Sequence, residues 1–145
     1  MPVRISRALL ERILDEAEAS PCHEICGLLL GQGAEVRDIR VSANVAQDPA
    51  RRFEVDPAVL IAAHKAARQS GLRIMGHYHS HPNGGTEPSV CDAEMAVDDG
   101  SLWLICSPSR EFRMWRTGAQ GLHGRFAVCD IAVDLDTPVH RAGMH

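Results

Sequence analysis

With 145 residues, 45% of them hydrophobic, the chain is long enough to bury a core of its own and short enough to be one domain. Nineteen acidic against fifteen basic residues leave a formal charge of −4, which argues against a general nucleic-acid-binding role. No run of about twenty apolar residues marks a membrane span. The N-terminus turns acidic and amphipathic where a secretory signal needs a long apolar stretch, so the cytoplasm is the expected compartment.

Ser6 is a helix cap, and Ile5 and Leu10 have the separation of a hydrophobic staple. Leu9, Leu10, Ile13, Leu14 and Ala17 then recur with helical period, up to an exit at Pro21. The run "ICGLLLG" is short and apolar, with two glycines, and suits a buried strand better than a helix. Val36, Ile39 and Val41 predict a second strand after a Gln32–Gly33 turn, and "RRFEV" a third. Asp56–Pro57 is a cap followed by a first-turn proline, opening a helix through "AVLIAAHKAARQSG" that Gly71 stops.

"LRIMGHYH" returns the chain to an extended form, and Ser89 caps a short helix running through Val97. "SLWLICS" and "EFRMWR" are strands joined at Pro108–Arg110. After a less regular stretch from Gly118 to Gly124, "RFAVCDIAVDL" holds one more strand. Helices interspersed with single strands and then a hairpin predict one α/β domain, a mixed sheet covered by helices. The expected domain is 1–136, with 137–145 a flexible C-terminal tail.

The five cysteines are Cys22, Cys26, Cys91, Cys106 and Cys129. They are odd in number and make no repeated C-x-x-C pair, so no disulfide framework is expected. Cys26 and Cys106 sit in apolar runs as small core residues. Cys91, beside Asp92, reads as structural and not as a nucleophile. Arg51–Arg52 and the group Arg110, Arg113 and Arg116 read as solvated surface.

The chemistry concentrates in "GHYHSHPNGGTEPSVCD", Gly76 to Asp92. An extended backbone puts His77, His79 and His81 on one side, which alone describes an exposed sheet face. Ser89 and Asp92 alone describe a helix start. In combination they say more. Two imidazoles at i and i+2 can converge from an extended segment, and the return to Asp92 lets a helix start deliver a carboxylate. Two nitrogens, one oxygen and an open water position fit catalytic zinc.

Three segments, "HEICGLLLG", "GHYHSHP" and "SVCD", together resemble the JAMM, or catalytic MPN, family of metallopeptidases. The family pattern is an upstream glutamate, then His-Ser-His-Pro, then Ser-x-x-Asp at this separation. The resemblance implies a single domain with a curved mixed β-sheet flanked by helices. It implies one catalytic zinc ion on His79, His81 and Asp92, with Glu24 as general base and acid and Ser89 as a hydroxyl donor at the reacting carbonyl. His77 is eligible by its phase, but the family motif starts its ligands at His79, which leaves His77 a packing or supporting role.

The implied activity is hydrolysis of amide or isopeptide bonds after the Gly-Gly tail of a ubiquitin-like or sulfur-carrier protein, with no nucleic acid or membrane involved. Only short connections are available for linkage recognition, which favours a compact carrier-processing enzyme. Glu24 also has a bland reading, a strand-edge charge that discourages aggregation. Two other classes stay open: a non-catalytic MPN-type scaffold and a small-molecule zinc amidohydrolase. A cytidine-deaminase reading lacks its P-C-x-x-C cysteine pair. Cys129, His140 and His145 are too scattered for a second zinc cluster. Oligomeric state is not encoded in any motif.

Overall fold

The chain opens on a strand, β1 (Val3–Ser6), before its first helix. Val3 and Ile5 alternate with exposed Arg4, and both are completely buried. Four residues were too few for this period-2 signal to stand out beside the helix that follows. Ser6 ends the strand and caps α1 (Arg7–Ala19), its Oγ accepting the Leu9 N–H at 3.2 Å. Leu10, Ile13, Leu14 and Ala17 form the buried stripe of α1, as the spacing predicts. The computed structural model describes residues 2–135, so the expected tail, 137–145, lies outside the described residues.

The strands β2 (Cys26–Gln32) and β3 (Glu35–Ser42) form an antiparallel hairpin, with Gly33 at φ 58° in its turn. α2 (Pro57–Ser70) starts at Asp56, whose carboxylate accepts the Ala58 N–H, and ends at Gly71 with φ 81°. β4 (Arg73–Ser80), α3 (Val90–Met95), β5 (Leu102–Cys106), β6 (Phe112–Leu122), β7 (Phe126–Cys129) and β8 (Ile131–Asp134) follow.

"RRFEV" is not a strand. Only an isolated bridge joins Asn44 to Val55, because the Asn44 side chain takes up the backbone groups that a ladder would use. α3 stops at Met95, two residues before Val97. The expected irregular stretch continues β6 as far as Leu122, and the single C-terminal strand is interrupted at Asp130.

That interruption organises the sheet. The eight strands are ordered β7-β6-β5-β4-β2-β3-β1-β8, so β7 and β8 stand at opposite ends with only Asp130 between them. Neighbouring residues can occupy both ends only if the sheet curls until its edges meet. The result is a nearly closed mixed barrel with parallel pairs β1–β3, β1–β8 and β4–β5. α1 buries its stripe against one face together with Leu29, Met75, Tyr78, Leu104 and Met114. The other face carries α2 over Leu28 and Leu30, and beside it an aromatic cluster of Phe53, Trp103, Trp115 and Phe126. β2 is covered on both faces, which is why it reads as a continuous apolar run.

Gly76, on the central strand β4, has no room for a side chain. A Cβ there would stand 1.8 Å from the carbonyl oxygen of Leu102, its partner on β5. Gly76→Ala should therefore part β4 from β5 and destabilise the fold by about 3 kcal/mol or more. Urea denaturation of the two proteins measures it, and a loss under about 1 kcal/mol would show that the sheet adapts.

Candidate metal centre and active site

β4 delivers the first imidazole. The register of β2 on β4 pairs Leu29 with Gly76 and Leu30 with Ile74, leaving Met75 as an extra residue. Met75 and Tyr78 therefore enter the core beneath α1, while Ile74, His77 and His79 face the other side. His79 is completely buried and stacks on Phe53, ring centroids 4.3 Å apart at 20°.

His81 lies just past the end of β4, its N–H donating to the Cys106 carbonyl at 2.9 Å. Its Nδ1 is 3.1 Å from the carbonyl oxygen of Gly85. A carbonyl only accepts, so Nδ1 carries the proton, and in the neutral ring Nε2 presents a lone pair.

Asp92 comes from the first turn of α3, fixed by a reciprocal cap. Ser89 Oγ accepts the Asp92 N–H and Asp92 Oδ2 accepts the Ser89 N–H, both at 2.9 Å. The same Oδ2 stands 3.2 Å from His79 Nε2 and 3.1 Å from His81 Nε2, and the two nitrogens are 3.2 Å apart. With both Nε2 atoms unprotonated, three acceptor atoms face one another so closely that they repel unless a positive charge lies among them. Tetrahedral zinc, with bonds of about 2.0–2.1 Å, spaces its ligand atoms by about 3.3 Å. The triangle has the size and donor chemistry of a mononuclear zinc site with a position left over.

Charge in the triad follows from burial and proximity. Burial alone would favour a neutral Asp92, but the two imidazoles and the Ser89 N–H hold its carboxyl well below the usual range. Burial lowers the pKa of His79 despite Asp92. At His81 burial also disfavours the imidazolium, yet Asp92 and Glu24 outweigh it and the pKa is raised.

Glu24 sits in the turn before β2, only 5% exposed and with Oε1 lacking a hydrogen-bond partner. Desolvation pushes its pKa up to about 7, against the pull of His81 and with the push of Asp92. Glu24 and His81 line the same cleft. His23, its neighbour, is exposed. His77 stays out of the triangle, packed 4.2 Å from Trp103 and 4.9 Å from Phe53 by ring centroids.

An open cleft of about 1180 Å³ lies over these groups, lined by Cys22, Glu24, Arg51, His81, Ser89 and Arg113 among others. The segment from Pro82 to Pro88 forms one wall. Trp115 Nε1–H donates to the Thr86 carbonyl at 2.9 Å, and His123 Nε2 to that of Pro88 at 3.0 Å, pinning this wall to the β6–β7 region. Ser89 is half-buried at the cleft, its hydroxyl oxygen engaged by the Asp92 N–H and its hydrogen free to point inward.

The sequence did not disclose Phe53 as the platform for His79, nor the Gly85 carbonyl as the group that orients His81. A lone apolar residue in a polar loop and a main-chain oxygen carry no side-chain signature.

A family model described as prokaryotic homologs of the JAB domain matches residues 6–118. The desampylase of Haloferax volcanii is 34% identical over 104 residues, 70% of this chain and 74% of that one. The "Probable TtuB-protein conjugate cleaving protease" of Thermus thermophilus is 34% identical over 92 residues, covering 63% of this chain and 62% of its own. A solution structure of a Desulfitobacterium hafniense protein superposes with a TM-score of 0.79 at 26% identity, over 94% of this chain and 96% of that one.

Proposed function

The chain belongs to the family of prokaryotic JAB-domain homologs, and we propose that it is a zinc metallopeptidase acting after the Gly-Gly tail of a ubiquitin-like or sulfur-carrier protein. The observation that carries this reading is the meeting, in one cleft, of a zinc-sized triad with a buried carboxylate beside it. His79, His81 and Asp92 would hold zinc, which when bound lowers the pKa of water and polarises an amide carbonyl. Glu24 takes the proton of the attacking water and returns it to the leaving nitrogen, and the desolvation that raises its pKa makes it a stronger base than an exposed carboxylate. Ser89 points its hydroxyl hydrogen at the carbonyl oxygen as charge develops there.

A tail of two glycines passes close to the triad because it has no side chains to collide with the 82–88 wall. The folded carrier supplies binding energy that a short free peptide lacks. The relative named for cleaving TtuB–protein conjugates supports a protein-linked substrate over a small amide. The compartment that goes with this reading is the cytoplasm, where the five free cysteines are at home. No helix among the described residues is long and apolar enough to cross a membrane.

The test is a panel of host Gly-Gly carriers, each extended beyond the diglycine by a peptide or joined to a lysine, with mass spectrometry locating the cut. Cleavage after the second glycine, slowed by Gly→Ala in the tail and much faster than on the same tail as a free peptide, is expected. Equal cleavage of unrelated peptides would mean a general peptidase. Turnover of small amides without any carrier cleavage would replace this reading with the amidohydrolase.

A further inference from the structure

Glu24 lies outside every helix and strand, and its Oε1 has no partner, so neither a regular ladder nor a bond at that oxygen aims the carboxylate. The peptide that follows it, however, is held at both ends by side chains. Asn44 Nδ2 donates to the Glu24 carbonyl oxygen at 2.9 Å, and the Ile25 N–H of the same peptide donates to Ser80 Oγ at 2.9 Å. The Glu24 N–H is taken up by the Pro49 carbonyl at 2.8 Å.

Asn44 has little freedom to turn. Its Nδ2 also donates to the Arg52 carbonyl at 2.9 Å, and its Oδ1 accepts the N–H groups of Ala46 and Glu54 at 3.0 Å each. All four bonds that a primary amide makes are in use. Ser80 is completely buried on β4 between the two histidines of the triad, and its own N–H returns to the Ile25 carbonyl at 3.1 Å.

We propose that Asn44 and Ser80 are positioning residues for Glu24: they fix the plane of the 24–25 peptide against the strand that carries His79, and through it the direction of the carboxylate. The proposal rests on the role assigned to Glu24 above. A carboxylate that is buried without a bond at Oε1 moves with its backbone, and misplacement by about 1 Å reduces turnover by roughly 100-fold.

Asn44→Asp is the informative variant. It keeps an oxygen to accept from Ala46 and Glu54, but sets an oxygen against the Glu24 and Arg52 carbonyls. On a Gly-Gly carrier fusion, kcat should fall at least tenfold with KM and zinc content nearly unchanged. In a Glu24→Gln background the same change should lower kcat no further, since there is no base left to misplace. Equal losses in both backgrounds, or unaltered kcat in Asn44→Asp, would overturn the proposal.

Ser80→Ala gives a readout independent of turnover and of Asn44→Asp folding. Hydrogen exchange at the Ile25 amide in the metal-free protein should quicken at least tenfold and be restored by Ser80→Thr. Unchanged protection in Ser80→Ala would reject the clamp whatever the enzyme proves to cleave. Loss of protection together with failure of every carrier to react would instead keep the clamp and count against the substrate reading.

Discussion

Glu24→Gln should reduce hydrolysis by at least about 100-fold while zinc stays bound, the usual scale for losing a positioned general base. The amide preserves size but accepts no proton. The pH profile supplies a second arm. Glu24 must be ionised to accept, so the wild-type rate rises with pH through its acid limb. The limb is centred no higher than about 7, since a dication in the triad lowers this carboxyl further. That limb should vanish from the residual activity of Glu24→Gln.

Stability moves the opposite way. In the metal-free fold the carboxyl is raised from 4.5 to about 7, chiefly by desolvation. A group raised in this sense destabilises the fold as pH climbs from the unfolded value to the folded one, and the full effect is present above it. At pH 8 the metal-free glutamine variant should therefore be more stable than the metal-free wild type by about 2 kcal/mol, the nominal worth of roughly 3 kcal/mol for this rise being reduced by solvent screening, and near pH 4 the two should coincide. Urea denaturation at both pH values decides this. An inactive but stabilised variant is the signature of a residue kept for chemistry. Wild-type turnover by Glu24→Gln would remove it from the mechanism.

The triad was legible because its signal is a pattern of residue types whose spacing survives folding: two imidazoles at alternate positions, one on β4 and one just past its end, and a carboxylate that closes its own helix cap. The α1 stripe and the α2 caps were legible for a similar reason, since both are local. What escaped notice depends on distant pairing. A bulge at Met75 reverses the alternation along β4, so that Ile74 shares a face with His77 and not with Tyr78. Alternation counted from the start of the strand cannot locate it. "RRFEV" has strand-like residues, but Asn44 satisfies the backbone groups that pairing needs, and Phe53 leaves the loop to lie against His79. The break at Asp130 divides one apparent strand between two edges of the sheet, a consequence of closure and not of local preference.

The roles of Glu24 and Ser89 rested on the resemblance more than on spacing. Glu24 is a single acidic residue before an apolar strand, and its burial beside the triad depends on the turn formed by residues 44–52. Ser89 was readable as a cap, and the cap is present. Its proposed second use at the reacting carbonyl came from the resemblance, and in the folded chain Ser89 lines the cleft.

Removing any one ligand should empty the zinc site. Purified wild-type protein is expected to hold close to one zinc per chain, and His79→Ala, His81→Ala and Asp92→Asn to hold little after dialysis. The loss in affinity should exceed the 10–100-fold typical of losing a group behind a ligand. Asp92→Asn is the sharpest of the three. The amide keeps an oxygen to accept from the Ser89 N–H, so α3 can still start, while the charge facing the two imidazoles is gone. Ser89→Ala is the converse control: it weakens the cap by about 1 kcal/mol but leaves all three ligands, so zinc should stay while kcat falls. Chelation adds a thermodynamic readout. Zinc at a thousandfold excess over its Kd stabilises the fold by about 4 kcal/mol, an increment that a chelator removes from the wild type. The three ligand variants should unfold at the same urea concentration with or without chelator, because they have no bound metal to lose. Full zinc retention in all three would reject the triad as the metal site. Loss of zinc in Asp92→Asn with an intact α3 would assign Asp92 to ligation and not to helix initiation alone.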